Sequence, residues 1–408
     1  MYTEIKNCRI SGSNNLITVL SLGEQYLTGV FPKTKSEVIS KGPLDLAWCP
    51  DSGLLQMKHS YSLEEMYGDN YGYRSGLNAS MVSHLANKIH TLERLVELAE
   101  YDVVLDIGSN DATSLKAYRS KCRKVGIDPT GLKFREYYPD DIALIPDFFT
   151  AELFKNEFHD KARIITSIAM FYDLEDPMGF VCDIEECLAD DGIWHFEQSY
   201  MPSMLRTNSY DTICHEHLEF YSFKVVKHLL ETGGLRVVDV QTNAINGGSF
   251  AVTACKRHAK YTANAPVINW LLQQEDDMGL DTPKPYRDFE ERVFKHRKNL
   301  TRLVEALVAD NKKIIGYGAS TKGNVLLQFC NLTASQIPFI AEVNERKFGC
   351  LTPGTNIPII SEAEAMAMKP DYLLVLPWHF RHSILERERH FIERGGKLIF
   401  PLPEIEIV

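Results

Sequence analysis

Residues 103–112, VVLDIGSNDA, decide the fold of this chain, because they hold an apolar strand, a turn and the start of a helix. The run Val103–Ile107 predicts a buried parallel strand, and Gly108 allows the backbone to turn sharply after it. A second strand in KVGIDPT ends at Asp128, about twenty residues later. This spacing predicts a nucleoside-binding β-α-β unit in which Asp128 accepts hydrogen bonds from a ribose.

The turn after the first strand is acidic rather than rich in glycine. A dinucleotide site shows G-x-G-x-x-G here, so that a pyrophosphate can approach the backbone. This turn instead combines one glycine with polar and acidic residues, namely Asp106, Gly108, Ser109, Asn110 and Asp111. Carboxylates repel phosphate and favour a cation, so the turn predicts S-adenosylmethionine, which carries a sulfonium and an ammonium group and no phosphate.

A pair of aromatic residues follows the second strand in IPDFFT, residues 145–150. Phe148, beside Asp147 and Phe149, is the candidate to flank an adenine ring. The alternative is that both phenylalanines belong to the core.

Outward from this unit, the chain divides into four parts and predicts an α/β fold. Residues 1–75 carry short apolar runs broken by Gly, Pro, Asn and Ser, which predict a small β-rich module. Residues 76–256 alternate helices and strands and end in a hairpin, which predicts a Rossmann-like, doubly wound sheet. Residues 257–310 predict a charged helical connector, and residues 311–408 predict a second, smaller Rossmann-like α/β domain.

The C-terminal domain opens with a second strand-turn-helix, KKIIGYGASTKGN, of different chemistry. Its backbone N–H groups, hydroxyls and one cation at a helix start suit a pyrophosphate, although the spacing is not that of a Walker loop. The candidate ligands of a nucleotide sugar are Gly318, Ser320, Thr321, Lys322 and Asn324. Trp378 and His379 in LPWHF join them, because open α/β sheets bind ligands at strand ends. The alternative is a structural glycine turn with a surface lysine.

The segment YDTICHEHLEFYS, residues 210–222, places His215 and His217 on either side of Glu216. Three interpretations compete: a proton-transfer site, a polar strand and a metal site. Proton transfer is favoured, since a histidine of ordinary pKa can serve as a base near pH 7 and Glu216 or His215 could fix its tautomer. A metal is disfavoured, because the spacing is not that of a helical zinc pair. In a strand, both histidines would face away from Glu216. His195 is a weaker candidate that can equally be a satisfied core histidine.

Composition narrows the class of protein. The 408 residues are 44% hydrophobic and 24% charged, which suffices for a substantial core. A net charge of −11 argues against a nucleic-acid partner. The sequence shows neither a secretion signal nor an apolar membrane span, so a cytoplasmic protein is expected. Nine cysteines are expected to be reduced thiols.

Two short motifs in the first module have the form of zinc knuckles with one ligand missing from each. Cys8 and Cys49 are each followed three residues later by a serine, Ser11 and Ser52. Two thiolates do not complete a structural zinc site, even with His59 as a third ligand, so we expect no metal.

Taken together, the motifs resemble the S-adenosylmethionine-dependent C-methyltransferases that act on nucleotide-linked deoxysugars. The resemblance extends over the whole chain in one order, from YGDNYGYRSGLNASM through VLDIGSNDA, WHFEQSY, ICHEHLEFYS and NGGSF to IIGYGASTKGN, LTPGTNIPI and LPWHF. It implies that His217 is the general base and that Glu216 and Tyr73 lie around the sugar. The implied substrate is a 4-keto-6-deoxyhexose on dTDP or GDP, methylated at carbon 3 through an enolate.

The chain departs from that family at three positions. The family's four-cysteine zinc site is interrupted by Ser11 and Ser52, and Cys214 replaces a tyrosine that commonly precedes the His-Glu-His run. Two rival functions remain, a nucleotide-sugar epimerase or oxidoreductase and a non-catalytic nucleotide-sugar-binding protein. The sequence is compatible with a monomer or a homodimer.

Overall fold

The computed structural model describes residues 2–62, 65, 66 and 73–408. Its N-terminal part is β-rich, as the sequence predicts. The strands of this module are β1 (Tyr2–Glu4), β2 (Ile17–Tyr26), β3 (Lys41–Trp48), β4 (Leu55–Met57) and β5 (His59–Tyr61). Strands β1 and β5 form an antiparallel ribbon, and β2, β3 and β4 form an antiparallel sheet.

That sheet is completed from outside the module. A two-residue strand, β11 (Glu219–Phe220), pairs antiparallel with β4, so the sheet order is β11-β4-β3-β2. The segment that carries His215, Glu216 and His217 is therefore anchored to the N-terminal sheet immediately after the last histidine.

The central domain contains a seven-stranded sheet of order β12-β13-β10-β9-β6-β7-β8. Its strands are β6 (Val103–Ile107), β7 (Arg123–Ile127), β8 (Ile142–Ile145), β9 (Ala162–Ile168), β10 (Leu188–Ser199), β12 (Leu235–Asn243) and β13 (Ser249–Lys256). Its helices are α1 (Ala79–Leu95), α2 (Thr113–Lys116), α3 (Ala151–Glu157), α4 (Pro177–Cys187), α5 (Met201–Thr207) and α6 (Phe223–Thr232). Only β13 runs antiparallel to its neighbours, which confirms the expected doubly wound sheet with a terminal hairpin.

The order of these strands locates a ligand crevice. From β6 the chain winds towards β7 and β8 on one side and later towards β9 and β10 on the other. The switch point lies between the carboxyl ends of β6 and β9, where open α/β sheets bind ligands.

Two helices connect the central and C-terminal domains, α7 (Ala265–Met278) and α8 (Lys284–Ala309). The buried positions of α8 recur every three to four residues, as expected for an amphipathic helix. These are Tyr286, Phe289, Val293, His296, Leu300 and Val304. The helix packs on β2 and on the first strand of the C-terminal domain, and the Tyr286 ring stacks on Trp48.

The C-terminal domain holds a six-stranded sheet of order β16-β15-β14-β17-β18-β19. Its strands are β14 (Ile314–Tyr317), β15 (Ile340–Glu342), β16 (Ile359–Ser361), β17 (Tyr372–Val375), β18 (Lys397–Phe400) and β19 (Glu406–Ile407). Its helices are α9 (Thr321–Phe329), α10 (Glu362–Ala367), α11 (Arg381–Arg387) and α12 (Arg389–Glu393). Strands β14 to β18 are parallel, and the switch point lies between β14 and β17.

The hydrophobic cores do not follow the boundaries of the units. One core joins the N-terminal sheet, residues 201–220, helix α8 and the C-terminal sheet. A second core joins the central sheet to Cys8, Cys49 and Leu54 of the N-terminal module. Residues 210–220 thus lie where the three units meet. Within the described parts of the chain, no helix is both long and apolar enough to cross a membrane.

Candidate active site

The turn at the end of β6 forms one wall of the central crevice. Gly108 has a φ of 71°, a conformation in which glycine avoids the penalty of a side chain. A Cβ built on Gly108 would lie 3.2 Å from Cγ of Met170, in the segment that follows β9. The two sides of the switch point therefore approach closely at this glycine.

Asp128 lies at the carboxyl end of the second strand, as predicted, and it is already bound to the turn. Its Oδ2 accepts a hydrogen bond from the Asn110 N–H at 2.7 Å, and its Oδ1 accepts from the Thr130 N–H at 2.6 Å. Since Oδ2 has one protein donor, the carboxylate keeps an acceptor position for a ribose hydroxyl.

Asn110 and Asp111 have a role that the sequence did not indicate. Asn110 accepts from the Ser75 N–H at 3.0 Å and donates to the Tyr73 carbonyl at 3.2 Å, while Asp111 accepts from the Gly76 N–H at 3.0 Å. The predicted ligands of a cation thus clamp residues 73–76 onto the turn, and they bring Tyr73 to the crevice. The Tyr73 side chain is 51% exposed, and residues 67–72 of its motif lie outside the described residues.

Two other predicted cofactor residues are buried beneath the turn. Asp106 accepts a hydrogen bond from the Thr166 hydroxyl at 2.5 Å, and burial raises the pKa of its carboxyl to about 7. Ser109 exchanges a hydrogen bond with the Tyr138 hydroxyl at 2.8 Å. Both side chains support the turn from below.

The two phenylalanines after β8 have separate environments. Phe148 is 47% exposed, whereas the Phe149 ring packs edge-on against Phe180 at 5.4 Å. Phe149 is therefore a core residue, and Phe148 alone is accessible to a ligand.

The His-Glu-His run is a tight turn rather than a strand. The His217 N–H donates to the Cys214 carbonyl at 3.2 Å, which makes His215 and Glu216 the central residues of the turn. The three side chains consequently point to three different surroundings.

His215 faces the N-terminal module. Its side chain is 1% exposed, and its ring contacts the Tyr61 ring edge-on at 4.6 Å. Burial lowers the pKa of this imidazole to about 4.

His217 faces the central domain. Its Nδ1 lies 2.7 Å from the Thr212 carbonyl, which can only accept, so Nδ1 carries the proton and Nε2 keeps its lone pair. The tautomer is thus fixed by Thr212, and the expectation that Glu216 or His215 would fix it is wrong. Burial and, secondarily, the charge of Lys322 lower the His217 pKa to about 4, so the imidazole is neutral at pH 7.

A short path of contacts links His217 to the crevice at the end of β6. Its ring contacts Tyr172 edge-on at 4.5 Å, and Tyr172 is two residues beyond Met170, which covers Gly108. His217 also borders a cavity with room for about one water molecule. The other residues of its wall are Tyr172, Ser199, Met201, Met204, Thr212, Glu219 and Phe220.

Glu216 points into the junction between the N-terminal module and helix α9. A Cβ built on Gly29 would lie 2.4 Å from Glu216 Oε1 and 3.8 Å from Thr321 Oγ1, so the carboxyl occupies the space that Gly29 leaves. Burial raises the pKa of this carboxyl to about 7.

The glycine turn of the C-terminal domain is tightly packed. A Cβ on Gly318 would lie 2.7 Å from Pro377, across the switch point of that sheet. Ser320 caps helix α9 by accepting from the Gly323 N–H at 3.0 Å. Asn324 is fully buried and donates to the Thr28 carbonyl at 2.7 Å, so it contacts the N-terminal module.

Lys322 and Trp378 connect this switch point to the central domain. The Lys322 ammonium donates to the Asn246 carbonyl at 2.8 Å, and the Trp378 indole donates to Oδ2 of Asp211 at 2.7 Å. Asp211 was not singled out in the sequence, although it lies in the quoted segment, because nothing in the pattern indicated a partner 167 residues away.

His379 follows Trp378, and burial lowers the pKa of its imidazole to about 3, with a smaller effect of the Lys322 charge. Its Nδ1 has no hydrogen-bond partner within the described residues. Residues 210–217 therefore contact side chains near the switch points of both sheets.

His195 is a core histidine. Its Nδ1 is hydrogen-bonded to the Thr253 hydroxyl at 2.9 Å, and its Nε2 lies 3.4 Å from the Lys88 ammonium. Burial lowers its pKa to about 3.

The N-terminal knuckles carry two thiols and two hydroxyls. Cys8 pairs with Ser52 and Cys49 pairs with Ser11, while the His59 ring contacts the Tyr2 ring. Across the ranges that the structure describes, no three His, Cys, Asp or Glu side chains are grouped to hold a metal ion. This donor set does not fit a structural zinc ion.

Three protein families match successive parts of the chain. The family described as "Putative zinc binding domain" matches residues 8–67, that described as "Methyltransferase domain" matches residues 81–240, and that described as "C-methyltransferase C-terminal domain" matches residues 244–403.

Individual proteins are similar over different lengths. The C-methyltransferase NovU of Streptomyces niveus is 31% identical, over 99% of this chain and 97% of NovU. A solved S-adenosylmethionine-dependent methyltransferase of Clostridium acetobutylicum is 11% identical over 43% of this chain and 92% of that chain, with a TM-score of 0.33. Coclaurine N-methyltransferase, solved with N-methylheliamine and SAH, is 10% identical over 43% of this chain and 71% of that chain, also with a TM-score of 0.33.

Proposed function

The chain belongs to the S-adenosylmethionine-dependent C-methyltransferases, and we propose that it methylates carbon 3 of a nucleotide-linked 4-keto-6-deoxyhexose. The observation that carries this proposal is the state of His217. Its tautomer is fixed by the Thr212 carbonyl and its imidazole is neutral, in a turn that lies between two ligand crevices.

A methyltransferase that acts on carbon needs such a base, because the substrate carbon must lose a proton before it can accept a methyl group. The carbon beside a ketone becomes nucleophilic only when its proton is removed, which leaves an enolate with its charge on the keto oxygen. His217 Nε2 takes that proton and becomes imidazolium, and Thr212 holds the ring through Nδ1. When bound, S-adenosylmethionine would supply an electrophilic methyl group to the deprotonated carbon and would leave as S-adenosylhomocysteine.

The base is assigned to His217 rather than His215 because of their surroundings. His215 is enclosed against Tyr61 of the N-terminal module, whereas His217 contacts Tyr172 beside the cofactor crevice. Glu216 and Tyr73 complete the proposed sugar site, Glu216 from the junction with helix α9 and Tyr73 from the segment that Asn110 holds.

The central crevice supplies the features that the cofactor requires. Gly108 turns the chain sharply after β6, and Asp128 retains an acceptor position for a ribose hydroxyl. Phe148 is exposed beside the same edge of the sheet and is the proposed contact of the adenine. Asp106 and Ser109 support the turn, and Asp111 holds Gly76 there.

The C-terminal crevice is the proposed site of the nucleotide part of the substrate, which is dTDP or GDP. Helix α9 begins there with Thr321 and Lys322, and a helix N-terminus with a cation attracts a diphosphate. Lys322 is partly buried, which lowers the pKa of its ammonium and favours a bound anion as its partner. Trp378, His379, Gly318 and Ser320 form the adjoining edge, and Asn324 holds the helix start to the N-terminal module. We infer that the enzyme acts in the cytoplasm.

The test is an incubation in deuterated water with S-adenosylmethionine and a set of nucleotide-linked 4-keto-6-deoxyhexoses, followed by mass spectrometry. We expect one acid-stable methyl group and loss of the ring hydrogen beside the ketone, for a subset of the nucleotides. Binding of both ligands without methyl gain would instead support a nucleotide-sugar-binding protein. Change of sugar configuration or oxidation state without methyl gain would support an epimerase or an oxidoreductase.

A further inference from the structure

The two knuckles of the N-terminal module have the same backbone although neither has a second cysteine. In the first, the Gly12 N–H donates to the Cys8 carbonyl at 2.8 Å, and in the second the Gly53 N–H donates to the Cys49 carbonyl at 2.8 Å. Gly12 and Gly53 have φ values of 69° and 75°, which favour glycine. Both turns therefore keep a matching geometry, with the first and fourth side chains of one facing those of the other.

The side chains are in contact across the knuckles, and Cys8 also has a hydrogen bond with Ser11 of its own knuckle. Cys8 Sγ lies 3.1 Å from Ser52 Oγ, and Cys49 Sγ lies 3.8 Å from Ser11 Oγ. Cys8 and Cys49 are 2% and 0% exposed and pack with Leu54 in the core of the central domain. Two thiol-hydroxyl contacts thus join the knuckles, with both thiols buried, Ser52 partly buried and Ser11 exposed.

This donor set disagrees with the zinc-binding description that matches residues 8–67. A structural zinc ion requires four sulfur or nitrogen ligands, and a serine hydroxyl is neutral and weakly binding at pH 7. His59 is engaged with the Tyr2 ring, and no group of three metal-binding side chains occurs in the described ranges.

We propose that the two knuckles form a metal-free clasp, in which the crossed Cys8-Ser52 and Cys49-Ser11 contacts replace the metal as the link between them. The clasp supports the catalytic segment, because the second knuckle joins β3 to β4, and β4 pairs with β11 two residues after His217. The support of the His217 turn is consequently independent of zinc. This inference does not rest on the proposed sugar substrate.

The first test measures metal in the full chain purified from zinc-supplemented culture. We expect far less than one zinc per chain by elemental mass spectrometry, and a melting temperature that a chelator leaves unchanged. One equivalent of zinc that a chelator removes, with a fall in melting temperature, would overturn the proposal.

The second test restores the missing thiols in the variant Ser11→Cys/Ser52→Cys. If the side chains at positions 8, 11, 49 and 52 surround one point, this variant should bind one zinc per chain and show thiolate-to-cobalt absorption with Co²⁺. Its melting temperature should fall by several degrees after chelation. The single variant Ser11→Cys is the matched control and should retain less metal. A folded double variant without metal would show that the knuckles do not converge, and would refute the clasp. If the double variant does not fold, the metal content of the unaltered chain still decides.

Discussion

Replacing His217 by glutamine should stop most methyl transfer while the fold and ligand binding remain. Glutamine has a similar volume, and its amide can still donate to the Thr212 carbonyl that now accepts from Nδ1. It has no basic lone pair to take a proton from the sugar. The variant therefore removes the chemistry of the side chain and keeps its anchor.

The size of the loss follows from the environment of the imidazole. A general base contributes roughly 10²- to 10⁴-fold to a rate. With a pKa of about 4, His217 is fully deprotonated at pH 7, but it is a weaker base than one whose pKa is near 7. We therefore expect a loss of about 10²- to 10³-fold, which corresponds to about 3–4 kcal/mol of transition-state stabilisation.

The assay follows exchange of the ring hydrogen beside the ketone in deuterated water, together with methyl transfer. Both rates should fall in His217→Gln. In the unaltered enzyme, kcat/KM should remain constant as the pH is lowered and then fall near pH 4, because protonation of Nε2 removes the base.

His215→Gln is the matched control, since it changes a histidine two residues away that is enclosed against Tyr61. Its turnover per folded chain should stay within a few-fold of the unaltered enzyme, with folding checked by thermal unfolding. Equal losses in the two variants, or normal exchange in His217→Gln, would refute the assignment of the base.

Three further predictions address other parts of the site. Lys322→Met should raise the KM for the nucleotide sugar about 10- to 100-fold in steady-state assays. It should also shift the acid limb of the kcat/KM profile to higher pH, because removing a nearby positive charge raises the pKa of His217. Trp378→Phe leaves buried Asp211 without its indole donor, so denaturant titration should show a free energy of unfolding lower by about 1.5–3 kcal/mol. The same substitution should cost less in an Asp211→Asn background. Asp106→Asn tests the raised pKa of this carboxyl, about 7 in the folded state, against its ordinary value of 3.8. The folded protein retains the proton to higher pH, so the unaltered chain loses stability as the pH rises from 3.8 to 7. The free energy of unfolding of the variant relative to it should increase over that window, by up to about 4 kcal/mol.

Much of the fold follows from local pattern. The apolar run before Gly108, the distance to Asp128 and the glycine turn after β14 predict two doubly wound sheets, because strand burial and turn chemistry are encoded within a few residues. The structure confirms both sheets and places both turns at their switch points.

The arrangement of the site depends on contacts that have no periodic signature. Asn110 holds the Tyr73 segment through side-chain bonds to backbone groups, and Thr212 fixes His217 with a carbonyl, which every residue possesses. The residue types alone predict neither of these two interactions. The pairing of β11 with β4 is equally hidden, because two residues are too few to show an alternating pattern.

The same pairing has a consequence for the order in which the chain can fold. Residues 55–57 are synthesised about 160 residues before their partners at 219 and 220, so at roughly 5–20 residues per second the outer edge of β4 waits about 8–30 s on the ribosome. An unpaired strand edge is a template for association with other chains. Newly made N-terminal modules are therefore most exposed to aggregation before the catalytic segment emerges, and slower translation should lower the soluble yield even though the finished enzyme is unchanged.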